Sequence, residues 1–378
     1  MDFGFSERQL EVRNLARHIL SEQVSAEKLA AYDEYQQERF DPALWQQLAE
    51  AGLLGVAIDE AYGGMGFGFT ELALLIEEVG RCIAPLPAIA HLASAALAIQ
   101  RFGSVAQKER WLPAACSGRE ILSAALVEEL NENPQQPCAT TAQAEGEGYR
   151  VSGVKYGVPF AARADRILLA AATDAGVVVL LLDPGAPGVT LEAMKVTTYE
   201  PQYQLSLDAV LVDAADLLAG PDQGAAVIGW IAQHTSAALC AHQLGVTDQM
   251  LRMTASYTGE RKQFGVPIAT FQAVGHRAAN CFIDVESLRL NTYQAVSRLD
   301  SDLEATTEVQ IAKIWAGDCG HRVSYAAQHL HGGMGIDRDY PLWRFCLWAR
   351  HNEMTLGSSA RQLAELGQRI AAGQAWCG

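Results

Sequence analysis

Residues 203–231 read YQLSLDAVLVDAADLLAGPDQGAAVIGWI, and two periods meet inside them. In the first ten residues apolar side chains alternate, which puts Leu205, Leu207, Ala209 and Leu211 on one face of a strand. After the turn-forming AGPDQG the period lengthens. Val227, Ile231, Thr235, Ala238, His242, Val246, Met250, Met253 and Tyr257 then trace one stripe, the spacing of a single long helix. The chain therefore passes from β to α structure near residue 220.

Upstream, alternation separated by the turn clusters AEGEG and DPGAPG extends back to about residue 121 and reads as an antiparallel β-barrel or sandwich. Before it the pattern is helical. SERQ at 6–9 has the form of a capping box, and TELALLIEEVGR places Leu72, Leu75, Ile76 and Val79 on one face before Gly80. Downstream, apolar stripes predict helices at 271–299, 308–330 and 342–372, suited to a bundle. The reading is α+β multidomain: an N-terminal helical domain over 1–120, a β domain over 121–220 and a helical bundle over 221–378.

A chain of 378 residues exceeds the size at which one core keeps growing, so two or three packed domains are expected. With 49% hydrophobic and 19% charged residues it is globular. The net charge of -16 argues against a nucleic-acid surface, so an anionic ligand must meet a local basic site. Eight cysteines lie without CxxC spacing or paired histidine motifs, which reads as reduced, mostly buried thiols and no metal site. MDFGFSERQLEVRNLARHIL lacks the basic-then-apolar form of a signal peptide, and no charge-free apolar run reaches about 18 residues. The expected location is cytoplasmic, with no membrane insertion.

Three glycine-containing motifs remain. YGGMGFG at 62–68 has no βαβ unit around it and reads as a loop that lets two stretches of chain approach closely. YTGERKQFGVPIATFQAV at 257–274 sets Arg261 and Lys262 at the end of the long helix, beside Phe264, and follows them with Gly265 and Pro267. Basic residues complementing a helix dipole, a glycine cap and a proline stop account for that pattern without any ligand. HLHGGMG at 329–335 follows an amphipathic helix; it is either a helix stop or a turn whose amides cradle a phosphate.

The order of these pieces resembles the acyl-CoA dehydrogenase family over nearly the whole chain. The likeness rests on DEAYGGMGFGFTELALLIEEVGR in the first block, ERKQFG followed by FQ at the head of the last, and HLHGGMG after the matching helical interval. It implies a helical domain, a β domain and a C-terminal four-helix bundle, with FAD held between subunits of a dimer-of-dimers. It also implies that Arg261 reaches the FAD pyrophosphate seated on a neighbouring subunit, while Phe264 and the pair Phe271 and Gln272 help enclose the dinucleotide, in a cofactor-binding segment that also carries Lys262 and Gln263. The family's second contact uses a glutamine; the register here places His329 there, with Gln328 beside it and Gly332 and Gly333 following.

The flavin-ring half departs from the family pattern. Where the family has Thr-Glu-Pro, this chain has LVEELNENPQQPCATT, and Val127 replaces the threonine. Where the family has Trp-Ile-Thr-Asn, the register from SGVKY gives Gly157, Val158, Pro159 and Phe160; Pro159 has neither an N–H nor a hydroxyl. Dehydrogenation also needs a carboxylate facing the flavin across the substrate. The two family positions for that base hold Leu356 and Thr235, and Glu353 is the nearest carboxylate to the first.

No catalytic residue is therefore expected. The resemblance implies a subunit that completes the FAD site of a catalytic partner in a heterotetramer, acting on an acyl-CoA in lipid or steroid degradation, with an electron-transfer flavoprotein as acceptor. A self-sufficient dehydrogenase with a displaced base, and a non-redox acyl-CoA-binding or scaffold protein, remain as alternatives.

Overall fold

The computed structural model describes residues 4–131 and 133–374. Six helices come first: α1 (Glu7–Gln23), α2 (Ala26–Ala30), α3 (Pro42–Glu50), α4 (Phe69–Cys82), α5 (Leu97–Phe102) and α6 (Val105–Cys116), with a π-helical turn at Ile89–Ala96. The strands follow as β1 (Leu122–Ala125), β2 (Thr141–Glu145), β3 (Gly148–Pro159), β4 (Arg166–Thr173), β5 (Gly176–Leu182), β6 (Val189–Met194), β7 (Gln202–Val212) and β8 (Leu217–Ala219). Helices α7 (Gly224–Glu260), α8 (Gln272–Asp300), α9 (Thr306–His331), α10 (Leu342–Met354) and α11 (Ser359–Ala371) complete the chain. This is the helical, β, helical order read from the sequence.

Contacts gather the residues into two compact units. One comprises the chain up to Ala26, Ala73–Ala84 and everything from Ser236; the other comprises Glu27–Leu72 and Pro85–Thr235. Within the second unit one sheet of eight strands runs β6-β7-β3-β2-β4-β5-β8, with β1 also on β4. It is mixed rather than wholly antiparallel: β1 runs parallel to β4, and β2 meets β4 in parallel at Thr141 and Ala172. The β2–β3 hairpin lies between β1 and β4 in the chain and supplies the long return that parallel strands need. Val151, Val158, Ile167, Leu169, Val178, Leu180 and Leu205 form its core face.

The face read for β7 holds only halfway. Leu205 and Leu207 are buried, but Leu211 is 58% exposed while Val210 and Val212 point inward. Ala209 sits at φ 51, and the pairing steps from Val151↔Val210 to Gly153↔Leu207, which places one extra residue on β7. A bulge inverts the parity of everything beyond it, and alternation alone cannot reveal it. YGGMGFG does admit a close approach: a Cβ on Gly64 would lie 2.0 Å from the Ile58 carbonyl oxygen.

The other unit is a helical bundle in which α9 packs on α8, α10 and α11. Ser6 caps α1 in the capping box expected: its hydroxyl accepts from the Gln9 amide and the Gln9 side chain accepts from the Ser6 amide. Gly80 does not end α4 but lets α7 pass, since a Cβ there would lie 2.1 Å from the His242 carbonyl. Gln243 of α7 donates to Ala316 of α9 and Ala349 of α10, and a Cβ on Gly320 would collide with its amide. A charge network ties the bundle: Glu77 and Glu78 of α4 and Asp248 of α7 are buried against Arg81, Arg289 and Arg17. From Val227 to Met250 helix α7 is buried on most sides rather than along one stripe. The helix read over 342–372 is two helices, broken by Leu356 at φ 55 and Gly357 at φ 95. Seven cysteines are free, five of them buried; Cys377 lies outside the described residues.

Candidate functional site

In the bundle unit α7 closes where the Arg261 amide donates to the Tyr257 carbonyl at 2.8 Å. The chain then forms a short hairpin, with Lys262–Gln263 pairing antiparallel to Val266–Pro267 and Phe264–Gly265 at the tip. Both tip residues lie in the left-handed region, Phe264 at φ 52 and Gly265 at φ 81, which is the type I′ geometry that matches strand twist. Glycine suits that backbone; phenylalanine is strained in it. The strained ring is 94% exposed; among the described residues its aromatic neighbour is Phe271, edge-on with ring centroids 6.2 Å apart. Strain combined with exposure serves no packing role in this unit and marks the tip as a contact surface.

Arg261 and Lys262 are exposed, and neither makes a side-chain ion pair or hydrogen bond among the described residues. Gln263 donates to the carbonyl of Lys262. Phe271 and Gln272 open α8 on the exposed side.

The second segment ends α9. Gln328 is half-buried, and His329 is exposed with its Nδ1 2.5 Å from the Arg277 guanidinium of α8. Arg277 was not singled out from the sequence. The available signal was a cation early in a helix, where the dipole opposes it. Gly332 adopts φ 60 and ψ -135, a backbone only glycine takes without strain, and open space surrounds the would-be Cβ of both Gly332 and Gly333.

An aromatic stack joins the two segments. Tyr257, one turn before Arg261, stacks on His331 with centroids 4.4 Å apart, and its hydroxyl donates to the His331 carbonyl. The His331 Nδ1–H donates to Ala327, and its Nε2 accepts from the Tyr340 hydroxyl at 3.2 Å. Burial pushes His331 below the usual imidazole range, so the stack is neutral. Thus α7, α8 and α9 converge on one exposed region carrying a free guanidinium, an imidazole, three amide side chains and two aromatic rings. That donor set suits a ligand with an anionic diphosphate and a flat ring.

The β-domain positions are built differently. Phe160, at φ 51, is 1% exposed, lies edge-on to Phe40 and donates its amide to Pro201. Pro159 accepts from the Ser123 hydroxyl, Val158 is in the core, and Gly157 at φ 61 forms a second bulge. Val127 accepts from the Tyr156 amide. Beside it Glu128 is buried and forms an ion pair with the equally buried Lys155 at 2.8 Å. Its oxygens also accept from the amides of Cys138, Ala139 and Thr140. Burial alone would raise this carboxyl; the Ala139 amide, the Lys155 ammonium and the Cys138 amide outweigh it and lower the carboxyl to about 2. Burial lowers Lys155, outweighing the hydrogen bond and charge attraction of Glu128 that favour the ammonium.

Neither position that the resemblance implies for a base holds a carboxylate. Thr235 is buried, its hydroxyl shared between the Ile231 carbonyl and Ser94. Leu356 is buried in its own unit, and the nearby Glu353 carboxylate is paired with Arg350. No helix among the described residues is long and apolar enough to cross a membrane.

Two family models match: "Acyl-CoA dehydrogenase, N-terminal domain" over residues 6–119 and "Acyl-CoA dehydrogenase, C-terminal domain" over 222–371. The chain is 37% identical to acyl-CoA dehydrogenase FadE27 of Mycobacterium tuberculosis, over 98% of this chain and 99% of that one. Among solved structures, the ChsE4-ChsE5 complex from Mycobacterium tuberculosis superposes with a TM-score of 0.92 at 36% identity, covering 98% of this chain and 99% of the matched one. A variant of the steroid ACAD Tcur3481-Tcur3483 superposes with a TM-score of 0.90 at 39% identity, covering 97% of this chain and 98% of that one.

Proposed function

The chain belongs to the acyl-CoA dehydrogenase family, and from that premise we propose that it is the non-catalytic subunit of a heteromeric, FAD-dependent acyl-CoA dehydrogenase. The observation that carries the reading is the contrast between its two half-sites. The surface formed by Arg261, Lys262, Gln263, Phe264, Phe271, Gln272, Gln328, His329, Gly332 and Gly333 is open and donor-rich, whereas Phe160 and Val158 are turned into the core and both base positions are blocked. The open half fits an FAD diphosphate reached across a subunit interface: Arg261 offers a planar fork to it, and Phe264 and Phe271 offer faces to the adenosine side.

FAD, when bound, supplies the hydride acceptor for α,β-dehydrogenation of the acyl thioester. This chain holds and orients it; the proton acceptor comes from the catalytic partner. The steroid relative and the complex among the similar structures support a bulky acyl-CoA of the steroid class as substrate. An electron-transfer flavoprotein is the proposed electron acceptor and the cytoplasm the proposed location. Glu353 does not favour a displaced-base enzyme, because its carboxylate is occupied by Arg350.

Purified alone, the chain is expected to be colourless or far below one FAD per chain, and to reduce no acceptor with any acyl-CoA; purified with its partner it should be yellow and active. Visible absorbance and acceptor reduction decide the matter, and a yellow, active homo-oligomer would overturn the reading. Likewise, neither Leu356→Glu nor Thr235→Glu should confer turnover on the isolated chain, since a proton acceptor is useless without a positioned flavin. Each places a carboxylate in a buried site, so circular dichroism must accompany the assay. Turnover by either folded variant would show that the flavin-ring side is competent.

A further inference from the structure

The resemblance puts His329 where its family carries a glutamine, whose amide always presents a donor, whereas a neutral imidazole presents one only from the nitrogen that carries its proton. Arg277 addresses that difference. Its guanidinium can only donate, and it faces His329 Nδ1 at 2.5 Å, so Nδ1 must be the bare nitrogen and the proton must sit on Nε2. Arg277 is itself held: it is half-buried and lies over the ring of Tyr325, 5.7 Å from its centroid. It comes from α8 and the imidazole from α9, so the contact also fixes the ring against rotation.

We propose that Arg277 is a positioning residue that locks His329 as a neutral Nε2–H donor directed at a phosphate oxygen of the dinucleotide, so that the pair replaces one glutamine. The ligand part of this rests on the proposed function; the tautomer part does not. A diphosphate thus meets a cation at Arg261 and an oriented neutral donor at His329.

The test labels the histidines of this chain with nitrogen-15, assembles it with its catalytic partner and strips the FAD, assigns His329 by His329→Gln, and titrates ADP into the complex as the diphosphate probe. The wild-type ring is expected to show one population with its proton on Nε2, and Arg277→Met a mixture of both tautomers. Arg277→Met should weaken ADP binding about fivefold to tenfold with His329 present, but less than twofold in a His329→Gln background, where the amide needs no help. An unchanged tautomer in Arg277→Met overturns the positioning role. An equal loss of ADP affinity in both backgrounds shows that Arg277 acts on the ligand by itself and overturns the coupling. Absence of ADP binding by the wild type overturns the ligand assignment while the nitrogen spectra still decide the tautomer.

Discussion

Replacing Glu128 with alanine is expected to cost about 3–5 kcal/mol of stability, the penalty for stranding one member of a buried ion pair. Two losses add. Lys155, 1% exposed, would be left buried without its carboxylate, and the amides of Cys138, Ala139 and Thr140 would lose their acceptor together. The second loss loosens the loop that runs from β1 to β2, so the damage is not confined to the side chain. The pH dependence has a definite sign. In the fold the carboxyl is lowered to about 2 from an ordinary value near 4.5, so its stabilisation is fully present above about pH 4.5 and is lost as pH falls toward 2. Urea unfolding across that range should therefore be steep for the wild type and flatter for Glu128→Ala. A loss below about 1 kcal/mol at neutral pH would mean that water replaces the carboxylate and that the pair is not structural. A Glu128→Ala, Lys155→Met double variant should recover much of the loss, since removing both charges leaves neither stranded.

Arg261→Ala is expected to leave the isolated chain folded and to reduce FAD retention by the assembled complex roughly tenfold to hundredfold, the range for a charge-assisted contact to a phosphate. Folding should not change, because the guanidinium is exposed and has no partner among the described residues, and the helix end is already closed by the Tyr257 carbonyl. Arg261→Lys should recover only part of the affinity, since an ammonium keeps the charge but not the fork. The measurement is bound FAD per complex after dialysis, with thermal unfolding as control. Unchanged retention would reduce Arg261 to the dipole-complementing residue that a helix end accommodates anyway.

Much of this was legible in the sequence because periodicity reports burial directly. The capping box at Ser6, the α7 helix and the change of period near residue 220 are all present as read. Features invisible to periodicity are those set by one backbone angle. The Ala209 bulge reverses the faces of β7, and Leu356 with Gly357 splits the terminal helix in two, although neither residue breaks an apolar pattern. Motif matching located the residues around Arg261 and His329, yet it could not show Phe264 strained and exposed, because that conformation depends on a two-residue tip closed by strand pairing. Nor could it find Arg277 or the Glu128–Lys155 pair. Those depend on which side chains meet after α8 reaches α9, and after β3 crosses the 128–140 loop.

The inward position of Phe160 limits what residue 160 can become. A polar residue there would empty a core site filled by an aromatic, a change of about 3–5 kcal/mol. That is a large share of the roughly 5–15 kcal/mol by which folded domains exceed their unfolded state. The left-handed backbone at φ 51 would remain, and it disfavours a β-branched replacement. A single polar substitution at residue 160 is therefore expected to lose stability before it gains any contact, so the interior can accept such a change only together with compensating changes around Phe40 and the β-sheet core.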